Sequence, residues 1–433
     1  MNKFFGMIRA ERLTILCIVI VCTMISLFIT GFDRFPDEVR LSSGSTKHVQ
    51  TGLPVRASVS VYDQDAVPVL KLGGQPVSEN IQIDVSDGLE LVANDSGRAS
   101  VSLNMFGLPG RRISLDVLPN LELVACGTTV GVRVETDGVL VIGTGEIVED
   151  SARIQSPSSS VLRSGDMILK ADGVAVQNKE HFAQLVNAAG EELRLSVRRR
   201  DDTLELSINP HKSPNGERKI GAWIRDDTKG IGTITYYDPR TNRFAALGHG
   251  IVDVDTKQMM HIRSGHIMHT DIVDVVKGKR GAPGELVGRV REGRILGTID
   301  KNTSHGIFGS LNYGEKAALP SEKLPISLQS QVYVGPAVIR SSVGTDSVKE
   351  YDIFIEAVNK FSQDDTRGMV IRITDPELLR RTNGIVQGMS GSPILQDGRL
   401  VGAVTHVFVQ DPSKGYGIFI ESMLAQNKTQ ERP

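Results

Sequence analysis

The stretch Gly388-Met389-Ser390-Gly391-Ser392-Pro393 is followed by two apolar runs, 394–395 and 400–404, on either side of Gly398. A serine between glycines, ahead of an apolar hairpin, is typical of an exposed nucleophile on a tight turn, because glycine permits strained backbone angles and close approach of a substrate. The amides of Gly388 and Ser390 would then converge on a developing oxyanion. The alternative interpretation is an ordinary Gly/Ser turn.

The pattern Gly-x-Ser-Gly-x-Pro resembles the nucleophile turn of chymotrypsin-like serine peptidases, in which this serine attacks the scissile carbonyl. It differs from the Gly-x-Ser-x-Gly elbow of α/β-hydrolases, which lies between a strand and a helix, whereas strand-like sequence follows here. The resemblance implies that Ser390 is the nucleophile and that the fold is a double β-barrel. A narrower alternative makes Ser392 the nucleophile.

A nucleophilic serine needs a base within hydrogen-bond reach. Among nine histidines, His249 follows the apolar run 244–247 and has glycine on both sides. It looks like the strand-end histidine of the same peptidase class, in the same chain order. A structural histidine in a glycine turn is the alternative, and the presence of Ser390 favours a general base.

The remaining histidines offer no comparable signal. His261, His266 and His269 form a cluster, but their spacing fits neither His-Glu-x-x-His nor a Cys/His finger. We therefore expect no metal and no cofactor. His406 follows the nucleophile turn and is interpreted as a packed strand residue.

The acid that orients the imidazole is less well defined by sequence. Asp375, in Ile373-Thr374-Asp375-Pro376, precedes the serine motif. Chymotrypsin-like enzymes carry the acid after the histidine in the first barrel, where this chain offers Asp271, Asp274 and Asp300.

Composition favours a mainly β, globular protein. The 433 residues include 44 glycines but only 13 Phe, 7 Tyr and 1 Trp, which suits many tight turns between short aliphatic strands. A formal net charge of −2 argues against nucleic-acid binding. Three cysteines cannot form a disulfide framework.

The N-terminus, residues 1–35, reads as a cytoplasmic stub and a transmembrane anchor. The run 13–30 contains no charged residue and follows Lys3, Arg9 and Arg12. Basic residues before an apolar run keep that end in the cytoplasm and place the rest across the membrane. A cleaved signal peptide is the alternative.

Two modules follow the anchor. Residues 36–118 show period-two alternation typical of strands and predict a small β-rich module. Residues 119–212 combine a Gly-Asp turn at 165–166, a helix capped by Asn178 and further strands. This order resembles a bacterial protease-associated PDZ domain, an α+β fold that adds a peptide to a sheet edge. The resemblance implies that the peptide-binding loop is Gly138, Val139, Leu140 and Val141.

Residues 213–433 are predicted to form the peptidase domain. They contain many apolar runs separated by glycines, which are typical of a closed antiparallel architecture. The whole order, with Gly384 through Pro393 and Gly-Ile-Phe-Gly at 306–309, resembles the stage IV sporulation protein B family of serine endopeptidases. In that family the Asp-Pro position supplies the triad acid, which implies Asp375.

This resemblance also implies a biological role. Such enzymes lie at the forespore inner membrane of a developing bacterial endospore, with the catalytic part exported between the two forespore membranes. They cleave themselves and a membrane-anchored inhibitor of an intramembrane metalloprotease, which triggers activation of a mother-cell sigma factor. The implied partners are this substrate, the membrane and peptide C-termini bound by the PDZ domain. The alternative is a non-catalytic, membrane-tethered PDZ adaptor with a degenerate peptidase fold.

Overall fold

The computed structural model describes residues 38–44, 46–49, 55–60, 70–72, 75–76, 81–84, 89–93, 97–105, 108–118, 121–344, 347–359 and 364–427. These residues divide into two compact units at the boundary between Leu121 and Glu122. Within the described ranges no helix is long and apolar enough to cross a bilayer. The predicted anchor at 13–30 lies outside them.

The first unit is built from strands. They are β1 (Glu38–Ser42), β2 (Thr46–Val49), β3 (Val55–Ser60), β4 (Leu70–Leu72), β5 (Gln75–Pro76), β6 (Ile81–Asp84), β7 (Leu89–Ala93), β8 (Gly97–Met105) and β9 (Leu108–Leu118). One sheet has the order β1-β9-β8-β3-β6 and a second the order β2-β7-β4-β5. Strands β3 and β6 lie where the alternating patterns begin, which confirms that part of the β prediction for the described residues 55–60 and 81–84.

The second unit begins with two strands that pair with distant parts of the chain, followed by a small α+β module. Its elements are β10 (Glu122–Ala125), β11 (Thr129–Thr144), β12 (Ile147–Glu149), β13 (Ala152–Ile154), β14 (Met167–Ala171), β15 (Val174–Ala175), α1 (Lys179–Ala188), β16 (Leu193–Arg199), β17 (Asp202–Ile208), β18 (His211–Lys212) and β19 (Arg218–Lys219). The last two strands form a short antiparallel hairpin.

Helix α1 forms as the sequence predicts. The Asn178 side chain accepts a hydrogen bond from the His181 amide at 2.7 Å, which satisfies one free donor of the first turn. Phe182 and Val186 are buried on the inner face of the helix. They pack with the alternate residues of β16, such as Leu195, into the core of this module.

The remaining elements carry the predicted peptidase domain. They are β20 (Ala222–Tyr237), β21 (Arg243–Ala246), β22 (Ile262–Val276), β23 (Glu285–Thr303), β24 (Gly306–Leu311), β25 (Lys323–Pro325), β26 (Gly335–Ser341), β27 (Lys349–Val358), β28 (Met369–Ile373), α2 (Pro376–Thr382), β29 (Pro393–Gln396), β30 (Arg399–Phe408), β31 (Asp411–Phe419) and α3 (Ile420–Asn427). Short 3-10 turns lie at Lys316–Ala318 and Asp365–Arg367.

These strands form two closed barrels. Strands β26-β27-β28-β31-β30-β29 form one of them. The other is a ring in the order β11-β22-β23-β24-β21-β20, closed by antiparallel pairing of β20 with β11. Each barrel has its own core, which contains Phe244 and Ile267 in the ring and Ile355 and Met369 in the other. The mainly β, double-barrel prediction is confirmed.

The α+β module is an insertion in the first barrel. Strand β11 pairs with β20 and β22 along residues 129–135, and its continuation at 139–140 pairs with β14 of the module. The chain returns to the barrel through β20. Residues 122–136, which the sequence analysis placed in the segment 119–212, therefore belong structurally to the first barrel, because β-pairing joins strands that are distant in sequence.

The Gly-Asp turn of the module holds a buried ion pair. Gly165 has φ = 94°, and the carboxylate of Asp166, only 1% exposed, accepts hydrogen bonds from Nε and Nη2 of Arg199 at 2.8 and 2.7 Å. The carboxylate also accepts from the Arg163 amide at 2.8 Å. This carboxylate joins the turn to strand β16.

We expect Asp166→Ala to lower the free energy of unfolding of this unit by about 3 kcal/mol, because it leaves the Arg199 guanidinium without its charged partner. Chemical denaturation followed by circular dichroism measures the change. The exposed Asp202→Ala is the matched control and should stay within about 0.5 kcal/mol. Equal stability of both variants would contradict a structural role for the ion pair.

Candidate active site

Ser390 lies on the turn between α2 and β29. Gly388 and Gly391 on this turn have φ values of 98° and 94°, in the left-handed region that favours glycine. A Cβ at Gly391 would lie 2.1 Å from the carbonyl oxygen of Thr233, so no side chain fits there. Both glycines of the motif are thus required by the conformation of the turn, and one also by the approach of β20.

His249 lies on the turn that follows β21 of the first barrel. From this turn its ring reaches His406 of the second barrel. Gly248 has φ = 70°, and a Cβ there would lie 3.1 Å from Cγ2 of Thr405. A Cβ on Gly250 would lie 2.6 Å from the Thr303 carbonyl oxygen. Glycine therefore flanks the histidine because the backbone passes close to other chain segments on both sides.

Strand β30 of the second barrel is the place where the two predicted residues meet. The Ser390 hydroxyl donates to the carbonyl of Thr405 at 2.8 Å. The rings of His249 and His406 lie 4.8 Å apart between centroids, tilted by 33°. Because Thr405 and His406 are consecutive, the structure brings the predicted nucleophile and base to one point of β30.

The imidazole of His249 is oriented by a backbone carbonyl. Its Nδ1 lies 3.0 Å from the Gly250 carbonyl oxygen. A carbonyl only accepts hydrogen bonds, so Nδ1 carries the proton and the neutral ring keeps a lone pair on Nε2. This is the tautomer that a general base needs, and rotation of the Ser390 hydroxyl away from Thr405 would supply the proton to accept.

Burial shapes the acid–base properties of both rings. Desolvation lowers the pKa of His249, and the hydrogen bond to Gly250 opposes this shift. Partial burial, the neighbouring His249 and Arg367 lower the pKa of His406 to about 4, whereas Asp364 raises it. Both imidazoles are therefore neutral at pH 7.

The amides predicted for the oxyanion hole have no partner in the described part of the chain. No residue there accepts a hydrogen bond from the N–H of Gly388 or of Ser390, whereas the N–H of Gly391 donates to the Val404 carbonyl at 2.7 Å. Two adjacent free donors beside a serine hydroxyl are the arrangement that stabilises a tetrahedral oxyanion.

Ser392 does not have the environment of a nucleophile. Its side chain is 0% exposed, and its hydroxyl donates to Oγ of Ser341 at 3.2 Å inside the second barrel. Ser390, by contrast, is half-buried and borders solvent. A peptide carbonyl can reach only Ser390 without rearrangement of the core.

Asp375 does not hydrogen-bond His249 in the structure, so its role as the triad acid stays a prediction. The Asp375 carboxylate caps helix α2 by accepting from the Leu378 amide at 2.8 Å. Its residue follows the Ile373 end of β28, whereas the Met369 end pairs with Gly417 and so faces the Ser390 region. Strand β28 has five residues, so at about 3.3 Å per step its two ends lie about 13 Å apart.

The acids of the first barrel also have other partners. Both carboxylate oxygens of Asp271 bind Arg291, at 2.6 and 2.7 Å, and Asp300 binds Arg243. Asp274 accepts from the Val275 amide. No carboxylate in the described residues hydrogen-bonds His249, so the Gly250 carbonyl is its orienting group.

The predicted peptide-binding loop at 138–141 is partly paired within the sheet, and its peptide-binding role stays a prediction. On one side Val139 and Leu140 pair with β14. On the other side Leu140 and Val141 pair with Arg225 and Ile224 of β20. Strand β20 thus takes part of the edge beside β11, because it returns from the module directly into the first barrel.

The predicted histidine cluster lies along β22 and at its start. His269 bonds Glu315 through Nε2 at 2.7 Å, and Nδ1 of His266 is buried. His261 is exposed. Within the described ranges, no group of three or more His, Cys, Asp or Glu side chains is arranged to hold a metal ion.

Sequence reasoning missed the residues that hold the site. Thr233 and Thr235 hydrogen-bond the nucleophile turn, and Thr405 and Gly250 supply carbonyls to the serine and the histidine. The alternation of 233 and 235 predicts only that both face one side of a strand. Nothing in the sequence identifies the turn that this side meets.

Comparison with known proteins gives one family match and three similar solved structures. Residues 216–424 match the family model described as SpoIVB peptidase S55. The chain is similar to the PDZ domain of an SdrC-like protein from Listeria monocytogenes, with 24% identity, a TM-score of 0.17, and 20% of this chain and 87% of that chain covered.

A PDZ domain of an SdrC-like protein from Listeria innocua is 22% identical, with a TM-score of 0.17, and covers 21% of this chain and 94% of its own. The second domain of a Listeria protein, solved in solution, is 24% identical with a TM-score of 0.17 and covers 21% of this chain and 85% of its own. No curated protein matches the chain.

The position of Asp375 leads to a discriminating test. Asp375→Asn keeps an oxygen that can cap α2, so we expect labelling of the full chain by a fluorophosphonate to stay within a few-fold of the unaltered rate. Asp375→Ala should cost about 1 kcal/mol of stability, measured by chemical denaturation, again without loss of labelling. A drop of about 10⁴-fold in the Asn variant would show instead that Asp375 is the acid of a triad.

Proposed function

The segment 216–424 belongs to the SpoIVB peptidase S55 family, so the chain is a serine endopeptidase, and we propose that Ser390 is its nucleophile and His249 its general base. The observation that carries this assignment is the convergence of both side chains on residues 405–406 of β30. The Nδ1–H tautomer of His249 and the free amides of Gly388 and Ser390 support it.

The proposed reaction is acyl transfer through a covalent intermediate. The Ser390 hydroxyl leaves the Thr405 carbonyl, gives its proton to Nε2 of His249 and attacks the scissile carbonyl carbon. The amides of Gly388 and Ser390 bind the oxyanion. The imidazolium then protonates the leaving amine, the C–N bond breaks, and a water molecule deprotonated by His249 hydrolyses the acyl-enzyme.

The Gly250 carbonyl takes the orienting part of the acid in this mechanism. It holds Nδ1–H at 3.0 Å and stabilises the imidazolium as a neutral acceptor. Because a neutral acceptor stabilises a cation less than a carboxylate does, the base keeps a low proton affinity. Burial lowers the pKa of His249, and the hydrogen bond to Gly250 only partly opposes this shift.

The biological part of the proposal rests on the family. The natural substrate is a membrane-anchored regulator that inhibits an intramembrane metalloprotease, and its cleavage triggers a late mother-cell sigma factor during endospore formation. The enzyme also cleaves its own N-terminal region. An anchor at 13–30 holds it at the forespore inner membrane, with the catalytic part between the two membranes, as the charge pattern of that region favours.

The PDZ-like module contributes peptide contact in this proposal. A cavity of about 410 Å³ lies between α1 and the start of β20, lined in part by Phe182, Val186 and Ile147. Two exposed apolar side chains border it, Trp223 at 66% and Val148 at 67% exposure. An apolar peptide side chain fits this surface better than it fits the paired edge at 138–141.

The nucleophile assignment is tested by a matched pair of variants. We expect Ser390→Ala to abolish fluorophosphonate labelling and self-cleavage of the full chain, because it removes the attacking oxygen. Ser392→Ala should keep both activities, since its hydroxyl only bonds Ser341 inside the barrel. Peptide mapping of the labelled enzyme and N-terminal sequencing are the measurements. Labelling that persists in the Ser390 variant and disappears in the other would reverse the assignment.

The pH dependence follows from the state of His249. A general base must be neutral, and burial lowers the pKa of His249, so its neutral form persists below the ordinary value of about 6.5. We expect the labelling rate to stay level as pH falls to 6.5 and to decline only at lower pH. His406→Phe keeps an aromatic ring beside His249 and should leave this acid limb in place. A decline that begins above pH 6.5 would contradict the buried, neutral base.

A further inference from the structure

We propose that Thr233 and Thr235 are positioning residues that hold the nucleophile turn in its catalytic conformation. This proposal rests on the assignment of Ser390 above. In the proposed role, neither threonine touches the substrate. Both act through the peptide units around Ser390.

Strand β20 binds three carbonyls of the turn. The Thr233 hydroxyl donates to the carbonyl of Gly388 at 2.7 Å, and the Thr233 amide donates to the carbonyl of Ser390 at 3.0 Å. The Thr235 hydroxyl donates to the carbonyl of Gly391 at 2.8 Å. The carbonyls on both glycines that flank the motif are therefore held by side chains of the other barrel.

The remaining peptide units of the turn are held by backbone groups. The carbonyl that precedes the Gly388 amide accepts from the Leu286 amide at 2.9 Å, and the carbonyl that precedes the Ser390 amide accepts from the Ser392 amide at 2.9 Å. In a trans peptide the C=O and N–H point in opposite directions. These two bonds therefore aim the oxyanion-hole amides away from the protein partners and toward the cleft.

The peptide unit between those two amides is held at its carbonyl by the Thr233 hydroxyl and at its N–H, which belongs to Met389, by the Val386 carbonyl at 3.1 Å. Rotation of this peptide unit changes ψ of Gly388 and φ of Met389. The two oxyanion-hole amides then no longer converge. Glycine resists such rotation less than any other residue, because it has the largest accessible φ/ψ area. The hydroxyls thus supply the rigidity that the glycines of the motif take away.

Burial makes these hydrogen bonds consequential. Thr233 and Thr235 are both 0% exposed. Water cannot replace a lost hydroxyl without entering the space between the barrels, so a carbonyl left without its donor favours a rotated peptide. Alternate side chains of a strand face the same way, which explains why residues 233 and 235 both reach the turn.

The test is the chemistry of the turn, measured separately from binding. Saturation kinetics with an alkyl fluorophosphonate on the full chain give kinact for bond formation and KI for binding. We expect Thr233→Val, which keeps the shape and loses the hydroxyl, to lower kinact about 10-fold to 100-fold with KI within about twofold. Thr233→Ser restores the donor and should keep kinact within about threefold of the unaltered chain. Thr235→Val should lower kinact in the same sense.

The control is Thr136→Val. Thr136 is also buried at 1% exposure, and its hydroxyl donates to the Gly138 carbonyl at 2.7 Å, seven residues further along β11 than the residue that pairs with Thr233. It should lose stability like the Val variants of 233 and 235 but keep kinact. Thermal melting is measured for every variant, and if Thr233→Val does not fold, Thr235→Val and Thr233→Ser decide.

Two outcomes overturn the proposal. One is an unchanged kinact in the folded Val variants, and the other is a Ser variant as slow as its Val counterpart, which would assign the effect to packing. Ser390→Ala separates this proposal from the one on which it rests. If that variant is still labelled at the turn, the nucleophile assignment fails; if it is inert while Thr233→Val is unaffected, only the positioning role fails.

Discussion

Hydrogen bonds from strand β20 to the nucleophile turn connect the two barrels at the point where the chemistry takes place. Thr233 donates from both its amide and its hydroxyl, to the carbonyls of Ser390 and Gly388. The turn itself belongs to the second barrel, through the Gly391 amide and the Val404 carbonyl. A serine between two flexible glycines therefore has a defined geometry only when both barrels are folded and packed. The packing of the two barrels also brings β20 so close to Gly391 that no side chain fits there.

The same strand connects the turn to the inserted module. Residues 222–225 of β20 close the sheet edge beside β11, and residues further along it enter the first barrel. Insertion between two neighbouring antiparallel strands leaves the barrel intact, because both strands simply continue outward into the module. The pairing with β20 occupies one side of β11 at Leu140 and Val141. The apolar surface beside α1, where Trp223 is exposed, lies next to this paired segment.

His249 shows how orientation and charge stabilisation can be separated. In a serine–histidine–acid triad the carboxylate both fixes the tautomer and stabilises the imidazolium. Here the Gly250 carbonyl fixes the tautomer without a negative charge, and burial lowers the pKa of the ring. The Ser390 hydroxyl donates to the Thr405 carbonyl, so its reorientation is the first event of the proposed reaction. Asp375 has a separate task, which is to begin α2 ahead of the turn.

The sequence by itself determined the features that depend on local chemistry: the glycine-flanked Ser390 and His249, the Asn178 cap of α1, and the alternating strands of a mainly β chain. Period two identifies a strand and its two faces, but it says nothing about the strand that pairs with it. Only the tertiary structure decided that β20 supports the turn, that residues 122–136 join the first barrel, and that Asp375 lies at the far end of β28. These outcomes depend on register and on contacts between residues more than a hundred positions apart, and hydrogen bonds of that kind leave no local pattern in a single sequence.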